Sequence, residues 1–504
     1  MTTVKELCLK YFSVDDATKF TWKCQCGAVI IQKKNTGWTN LANHIKSQHG
    51  EDPKSVPTGQ ATISFAKSKR VTSKGSHIYC WLNWVCSSLK PFSFVDDVLT
   101  REYTKLEPIS HNSLKKYMEL VTKEVEKRIQ SALPEKLALA IDGWTKNSTH
   151  FVGVFAIYPA ANTQGYDSAL LAFSPFFSET RFTANDHYQF LEWVLSVYGK
   201  TMSDVIAIIG DNAEVNKALS NLCEKPLIGC ASHRFNLAVS LFLKEHTEII
   251  AKISDIMIKL RTLKYRGKLR QKTDLGPVLK NETRWSSTFA MLNRYIRLHP
   301  FLLEPEFSGD QAFATLLLSP SDFLKVKELA SQLQYLNSVT VALQDSAIDM
   351  ADVRGLFDKV LEDYPEMVTY LGTNAKIIHS PKFESAIVKI QEKMHDTLDD
   401  EELAAVAVLK KEVILTQTRS DEQENSVAEF MKRRKMTKAE HDNGYIETRF
   451  LLPTSNLVER FFSVSGLAYD DFRQNMTPMN LEMQLFLKTN KRFWDEELVS
   501  KCCA

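Results

Sequence analysis

Apolar residues recur along this chain with two periods, and the switch between them outlines its organisation. The stretch NSLKKYMELVTKEVEKRIQSAL repeats apolar positions every three to four residues, which predicts a helix closed by Pro134. The runs LALAID (137–142), HFVGVFAIYP (150–159) and SALLAFSPFF (168–177) then read as three strands. TANDHYQFLEWVLSVYG reads as a helix begun at Asn185 or Asp186 and ended at Gly199. DVIAIIGD (204–211) has the continuous apolar character of a buried strand. A short helix, a fifth strand in LIGCASH and a helix in NLAVSLFLKE complete the pattern. Three strands, helix, strand, helix, strand, helix build one mixed α/β sheet with helices on its faces.

Either side of that sheet the period is helical. Residues 77–134 carry helical spacing with Trp81, Trp84, Phe92 and Phe94. Residues 246–445 give few strand signals, so a large all-helical insertion is expected there, its end at 417–445 charged and exposed. The pattern resumes at 446, and Thr477-Pro478 supplies a cap and a first-turn proline for a last helix. At the other end, AVIIQ is β-prone and WTNLANHIK reads as a helix capped by Thr39 or Asn40. The predicted division is a module at 1–50, a Pro/Gly/Ser/Lys linker at 51–76, a helical region at 77–134, and the first part of the sheet domain at 135–245. The insertion at 246–445 and the remainder at 446–504 follow.

With 504 residues the chain exceeds one compact core. It has no apolar run near the ~18 residues of a membrane span, so no membrane partner is expected. MTTVKELCLKYF lacks the order of a signal peptide. Nine cysteines, sparse and odd in number, fit a reducing compartment better than a disulfide framework. Charge is uneven. Residues 1–75 hold 12 Lys and Arg against 5 Asp and Glu, a net of +7, while the rest nets −5. A basic first module suggests a phosphate-bearing partner, with a solvated basic surface as the plainer reading.

Within that module Cys24 and Cys26 precede His44 and His49. Alternate residues of a strand share a face, so both thiolates can meet one ion, and the histidines would come from the helix and its end. Two thiolates and two imidazoles suit a closed tetrahedral zinc site, which would supply much of the folding free energy of so small a unit. The alternative is chance placement of surface Cys and His. With Tyr11, Phe12, Trp22 and Trp38 around it, the segment resembles a BED-type zinc finger, a DNA-binding module, which implies a small ββα finger. The family usually leaves two residues between its first cysteines, and here there is one.

Three acids stand out downstream. Asp142 and Asp211 each end an apolar run and would lie on adjacent strands; Glu459 opens the amphipathic SNLVERFFSV. Close carboxylates favour a divalent cation between them, and hard oxygen donors select Mg²⁺ or Mn²⁺. The plain reading of Asp211-Asn212 is a helix start, and of Glu459 a surface helix residue. The order D-G-W-T, G-D-N-A-x-x-N-K, Cys230-Ala231-Ser232-His233, NETRWSSTFAMLNRY and LLPTSNLVERFFSVSGL resembles the hAT superfamily of DNA transposases over nearly the whole chain.

That resemblance implies an RNase H-like domain interrupted by a helical insertion. Asp142, Asp211 and Glu459 would be its metal-binding triad, and Cys230 and His233 its C-x-x-H element, His233 orienting the scissile phosphate or donating a proton. Trp285, with Arg284 before it, would handle a flipped base or hairpin end, and 446–495 would serve dimerisation. Read without it, Cys230 and His233 are a structural pair and Trp285 is core. KYRGKLRQK, with Lys264, Arg266, Lys268 and Arg270, could grip DNA phosphates or be an exposed helix face. KRRK (432–435) with Lys438 resembles a nuclear-import cluster. The expected function is therefore metal-dependent DNA strand cleavage and transfer by a nuclear homodimer or larger homo-oligomer acting on transposon ends in double-stranded DNA. The rivals are a non-cutting descendant that keeps DNA binding and dimerisation, and a processing nuclease with the same sheet.

Overall fold

The protein is described here from a computed structural model, which covers residues 4–16, 21–31, 38–49, 71–146, 148–160, 165–176, 182–281, 284–411, 444–469 and 476–503. It divides into two compact units, Met1–Val71 and Thr72–Ala504. In the first, helix α1 (Val4–Tyr11) leads into strands β1 (Phe12–Asp16), β2 (Thr21–Cys24) and β3 (Val29–Ile31), paired antiparallel in that order; α2 (Thr39–His44) follows and ends in a π-helical turn, Ile45–His49. The expected ββα pattern thus gains a helix and a strand. The reason is burial: Cys8 and Phe12 pack with Leu41 and Ile45, completing a core that two strands and one helix could not close. The N-cap of α2 is Trp38, ahead of the expected Thr39 or Asn40, and it makes no side-chain cap bond.

The second unit is built on a five-stranded sheet of order β6-β5-β4-β7-β8. Its strands are β4 (Leu137–Lys146), β5 (Thr149–Pro159), β6 (Tyr166–Pro175), β7 (Val205–Gly210) and β8 (Leu227–Gly229). β5 runs against β4 and β6, whereas β4, β7 and β8 are parallel. Every residue of β7 is buried, as a strand covered on both faces requires. Of the expected fifth strand only Leu227–Gly229 is extended, because Ala231 already belongs to a helix.

The helices that position the site are α3 (Ser73–Ser87), α4 (His111–Ala132), α5 (Ala184–Val197), α6 (Glu214–Cys223), α7 (Ala231–Phe242), α8 (Trp285–Leu302), α9 (Asn456–Ala468), α10 (Pro478–Thr489) and α11 (Glu496–Cys502). α5 begins with a Thr183/Asp186 capping box one step before the expected start, and Gly199, at φ +63°, ends its run. α3 begins inside the expected linker because Thr72 caps it and Gly75 sits flush against Ser500 of α11. Between Thr247 and Leu409 the described residues form helices and turns without a strand, as the period indicated. Much of this insertion has its own core, including Leu260, Tyr295, Phe313, Leu333 and Phe357. Most of 417–445, with KRRK and Lys438, lies outside the described residues.

The C-terminal segment returns to the sheet. α9 packs on β4 and β5, and α10 packs on β6, α3 and α4. Phe461 lies edge-on to Phe155 and Phe173, and Phe462 stacks near Trp144. Leu481 and Leu485 of α10 are fully buried within this chain, so these apolar positions serve the fold of one copy; Leu467 stays exposed. α9 comes close because β5 offers Gly153, where a Cβ would stand 3.0 Å from Phe462 and 3.3 Å from Val458. Gly153→Ala should therefore force α9 outward by a few tenths of an ångström and cost about 1–3 kcal/mol in denaturant unfolding of the second unit.

Candidate metal centre and acidic site

In the first unit, Cys24 closes β2 and Cys26 follows in a tight turn. Gly27, at φ +91°, allows that turn, and its N–H bonds the Cys24 carbonyl at 2.8 Å. The π-helical turn after α2 brings His49 back beside His44, with ring centres 5.6 Å apart. Cys24 Sγ lies 3.2 Å from His49 Nε2, and Cys26 Sγ lies 3.3 Å from His44 Nε2. All four donor atoms fall within 4.8 Å of one another. Zinc bonds of about 2.0–2.3 Å give tetrahedral edges of about 3.3–3.8 Å, and the two Cys–His separations come close to such edges. Burial pushes the Cys24 thiol up, so binding must displace its proton. The cluster can bind a metal such as zinc.

In the second unit the three expected acids converge from distant segments. β4 pairs with β7 as far as Ala140 opposite Ile209, so two more residues place Asp142 beside Asp211 just beyond the end of β7. Asp142 is not a strand end on its other side, where β4 continues to Lys146 against β5. Asp142 faces Gly153 in that pairing, and Gly153 is where α9 presses in, bringing Glu459 close. Burial, above all, raises the Asp142 carboxyl to about 7; the charges of Asp211 and Glu459 add to the rise, while the Gly143 N–H, 2.8 Å from Oδ1, opposes it.

Each acid has its own donor. Asn216 Nδ2 donates to Asp211 Oδ1 at 2.6 Å, and the Ala213 N–H does so at 3.1 Å. Arg284 pairs with Glu459 at 2.9 Å. The three carboxylates accordingly feel one another but do not gather into a second tight ligand cluster among the described residues. Asn216 was not singled out from the sequence; its five-residue spacing from Asp211, across the start of α6, was the available signal.

His233 sits in the first turn of α7, not on a strand. It lines a cleft of about 210 Å³ with Ser232, Arg284, Trp285, Gln344 and Glu459. The first turns of α7, α8 and α9 all open into this cleft through Ser232, Trp285, Ser286 and Asn456, and in none of the three does the N-cap residue's own side chain bond the helix. Three helix N-termini place partial positive charge where an anion would lie. Trp285 is nearly buried at the cleft wall, edge-on to Phe235, and its backbone N–H donates to Asn236 Oδ1.

Cys230 is fully buried and accepts from the Ser455 N–H at 3.4 Å; Ala231 N–H bonds Pro453 O at 2.8 Å, and Cys230 N–H bonds Gly210 O at 2.8 Å. Residues 230–231 thus stitch the end of β7 to the loop that launches Glu459.

Of the other expected DNA-contacting cations, the structure brings the lysines together with acids. Lys264 and Lys268 both reach Asp310, at 2.6 and 3.3 Å, and Lys272 reaches Glu304 and Glu306. Arg266 donates to Leu275 O, and Arg270 is exposed. Three of the five cations of this segment thus meet an acid within the fold. A separate cavity of about 240 Å³ beside β8 is mainly apolar, and its buried Arg234–Glu384 pair is hydrogen-bonded to Tyr370 O and the Gly229 N–H. No helix of the described residues is long and apolar enough to cross a membrane. No protein-family model matches the chain, and no curated protein is significantly similar to it.

Two outcomes follow. Replacing Cys24 by Ala, or adding a strong zinc chelator, should unfold the first unit, read as loss of one zinc per chain and loss of its amide-exchange protection, while the second unit's melting is retained. For Asp142 the folded value lies above the ordinary 3.8, so the native protein keeps a proton that the unfolded chain releases. Stability then falls as pH rises from about 4 toward 7. Asp142→Asn should remove that loss, making the metal-free protein more stable than wild type at pH 8 by on the order of 1–4 kcal/mol and no more stable at pH 4. Denaturant melts at the two pH values measure this.

Proposed function

We propose that this chain is a DNA-binding, metal-dependent phosphodiester-cleaving enzyme of the hAT transposase type. The observation that carries the reading is the meeting of Asp142, Asp211 and Glu459, from β4, the end of β7 and α9, beside a cleft that three helix N-termini face. The strand order, with β5 alone running against the rest, supports reading the sheet as RNase H-like. The Cys2His2 unit supports reading residues 1–50 as a DNA-binding finger of the BED type, its ion zinc.

The acids fit a divalent pair by donor chemistry: all are carboxylates, and an arginine guanidinium already stands at one of them as a cation. Bound Mg²⁺ or Mn²⁺ would neutralise the phosphate and activate the attacking water or 3′-hydroxyl. The chain's own groups do the rest. The N-termini of α7, α8 and α9 draw a phosphodiester into the cleft. His233 holds or protonates a phosphate or leaving oxygen from the first turn of α7. Attack on phosphorus forms one P–O bond and breaks the opposite one, releasing a 3′-hydroxyl that can attack a second strand. Asn216 keeps Asp211 aimed, and Trp285 closes the cleft wall against water. Pairing of two copies on two transposon ends, and a nuclear site of action, come to this reading from the resemblance.

Purified protein and Asp142→Asn should be incubated with duplexes carrying terminal-repeat DNA and Mg²⁺ or Mn²⁺. Metal-dependent nicking or hairpin formation in wild type, reduced at least about 100-fold in the variant, is the expected result. DNA binding that depends on Cys24 with no cleavage in either protein would move the assignment to a non-cutting DNA-binding descendant.

A further inference from the structure

Arg284 is placed to do two incompatible things. Its guanidinium holds Glu459 at 2.9 Å, and it also lines the cleft together with His233, Ser232 and Trp285. Its backbone is fixed. The next residue's N–H reaches Asn236 Oδ1, and Ser287 Oγ ties Arg284 O to Asn281, donating to the former at 2.7 Å. The side chain, 70% exposed, is free to turn on that anchored base. An exposed ion pair of this kind is weak, so a competing divalent cation can displace it.

We propose that Arg284 is a stand-in cation, holding Glu459 while the acids lack metal and released into the cleft, toward a DNA phosphate, when a divalent ion binds them. Three features make this more than a surface ion pair. Glu459 sits within electrostatic reach of Asp142, so a positive charge on it offsets repulsion among the acids. The guanidinium occupies a carboxylate oxygen that a metal would need. The cleft it would turn into is lined by the first turns of three helices and has room for a phosphate group, which a bidentate guanidinium recognises well. Metal and DNA then assist each other, because each is favoured by the arginine position the other prefers, and the coupling must be reciprocal. The inference rests on the proposed metal-binding role of the three acids.

The test uses the full zinc-loaded chain and Mn²⁺ as the probe, with bound ion read by the loss of the free Mn²⁺ paramagnetic resonance signal. Wild type, Arg284→Ala, Arg284→Lys and Asp142→Asn are compared at one ionic strength. Removing the competitor should tighten Mn²⁺ binding by about three- to tenfold in Arg284→Ala, while Arg284→Lys, which keeps the charge, stays within about twofold of wild type. In anisotropy titrations with a short duplex, the gain in DNA affinity on adding Mn²⁺ should be smaller in Arg284→Ala than in wild type. If Asp142→Asn abolishes Mn²⁺ binding but Arg284→Ala binds it no better than wild type, the stand-in role is wrong and the metal site survives. If Asp142→Asn binds Mn²⁺ as wild type does, the acids are not the metal site, and both readings fall together.

Discussion

The arrangement of the second unit depends on how one late helix is held against an early sheet. Glu459 enters the acidic site because α9 is held both at the residues that lead into it and along its packed face. The Ser455 N–H bonds Cys230 Sγ, and the Ala231 N–H bonds Pro453 O. On the other side Gly153 lets Val458 and Phe462 reach the backbone of β5. These are modest bonds individually, each about 0.5–1.5 kcal/mol net. Their force comes from the aromatic layer of Phe461, Phe462, Phe155, Phe173 and Trp144, whose burial contributes more and leaves the hydrogen bonds only to set the register.

The same seam explains the electrostatics. A carboxylate at the end of buried strands is poorly solvated, and bringing two more acids near it raises the cost of charging it. The fold meets that cost locally, with an N–H at Asp142, an amide at Asp211 and a guanidinium at Glu459. The insertion supplies the last of these through the start of α8, and it also grips α9 through Leu343 O, which accepts from Asn456. The helical insertion is therefore part of the acidic site's construction rather than an appendage to it.

The first unit meets a different constraint. Its apolar core is a handful of residues, too few to offset chain entropy in so small a body, so the four-donor cluster is the natural anchor of its fold. The extra helix α1 and strand β1 serve the same end by adding Cys8 and Phe12 to that core.

Much of this was legible in the sequence because periodicity is local. The strands β4 to β7, helices α4 and α5 and the helical insertion follow from apolar spacing, and the four zinc-type ligands and three acids could be named from residue type and position. Other features could not. The LIGCASH run reads as strand, yet it turns into α7 at Ala231, whose N–H, without a partner inside the helix, is met by Pro453 O more than two hundred residues away. The start of α3 reads as linker, since Ser, Lys and Gly carry no apolar signal until Ser500 is packed against them. Lys264 and Lys268 read as free cations until Asp310 is brought beside them. Sequence determined which residues could do chemistry and which segments would be strand or helix. Only tertiary structure decided which charges meet, because that depends on long-range packing, which local spacing does not encode.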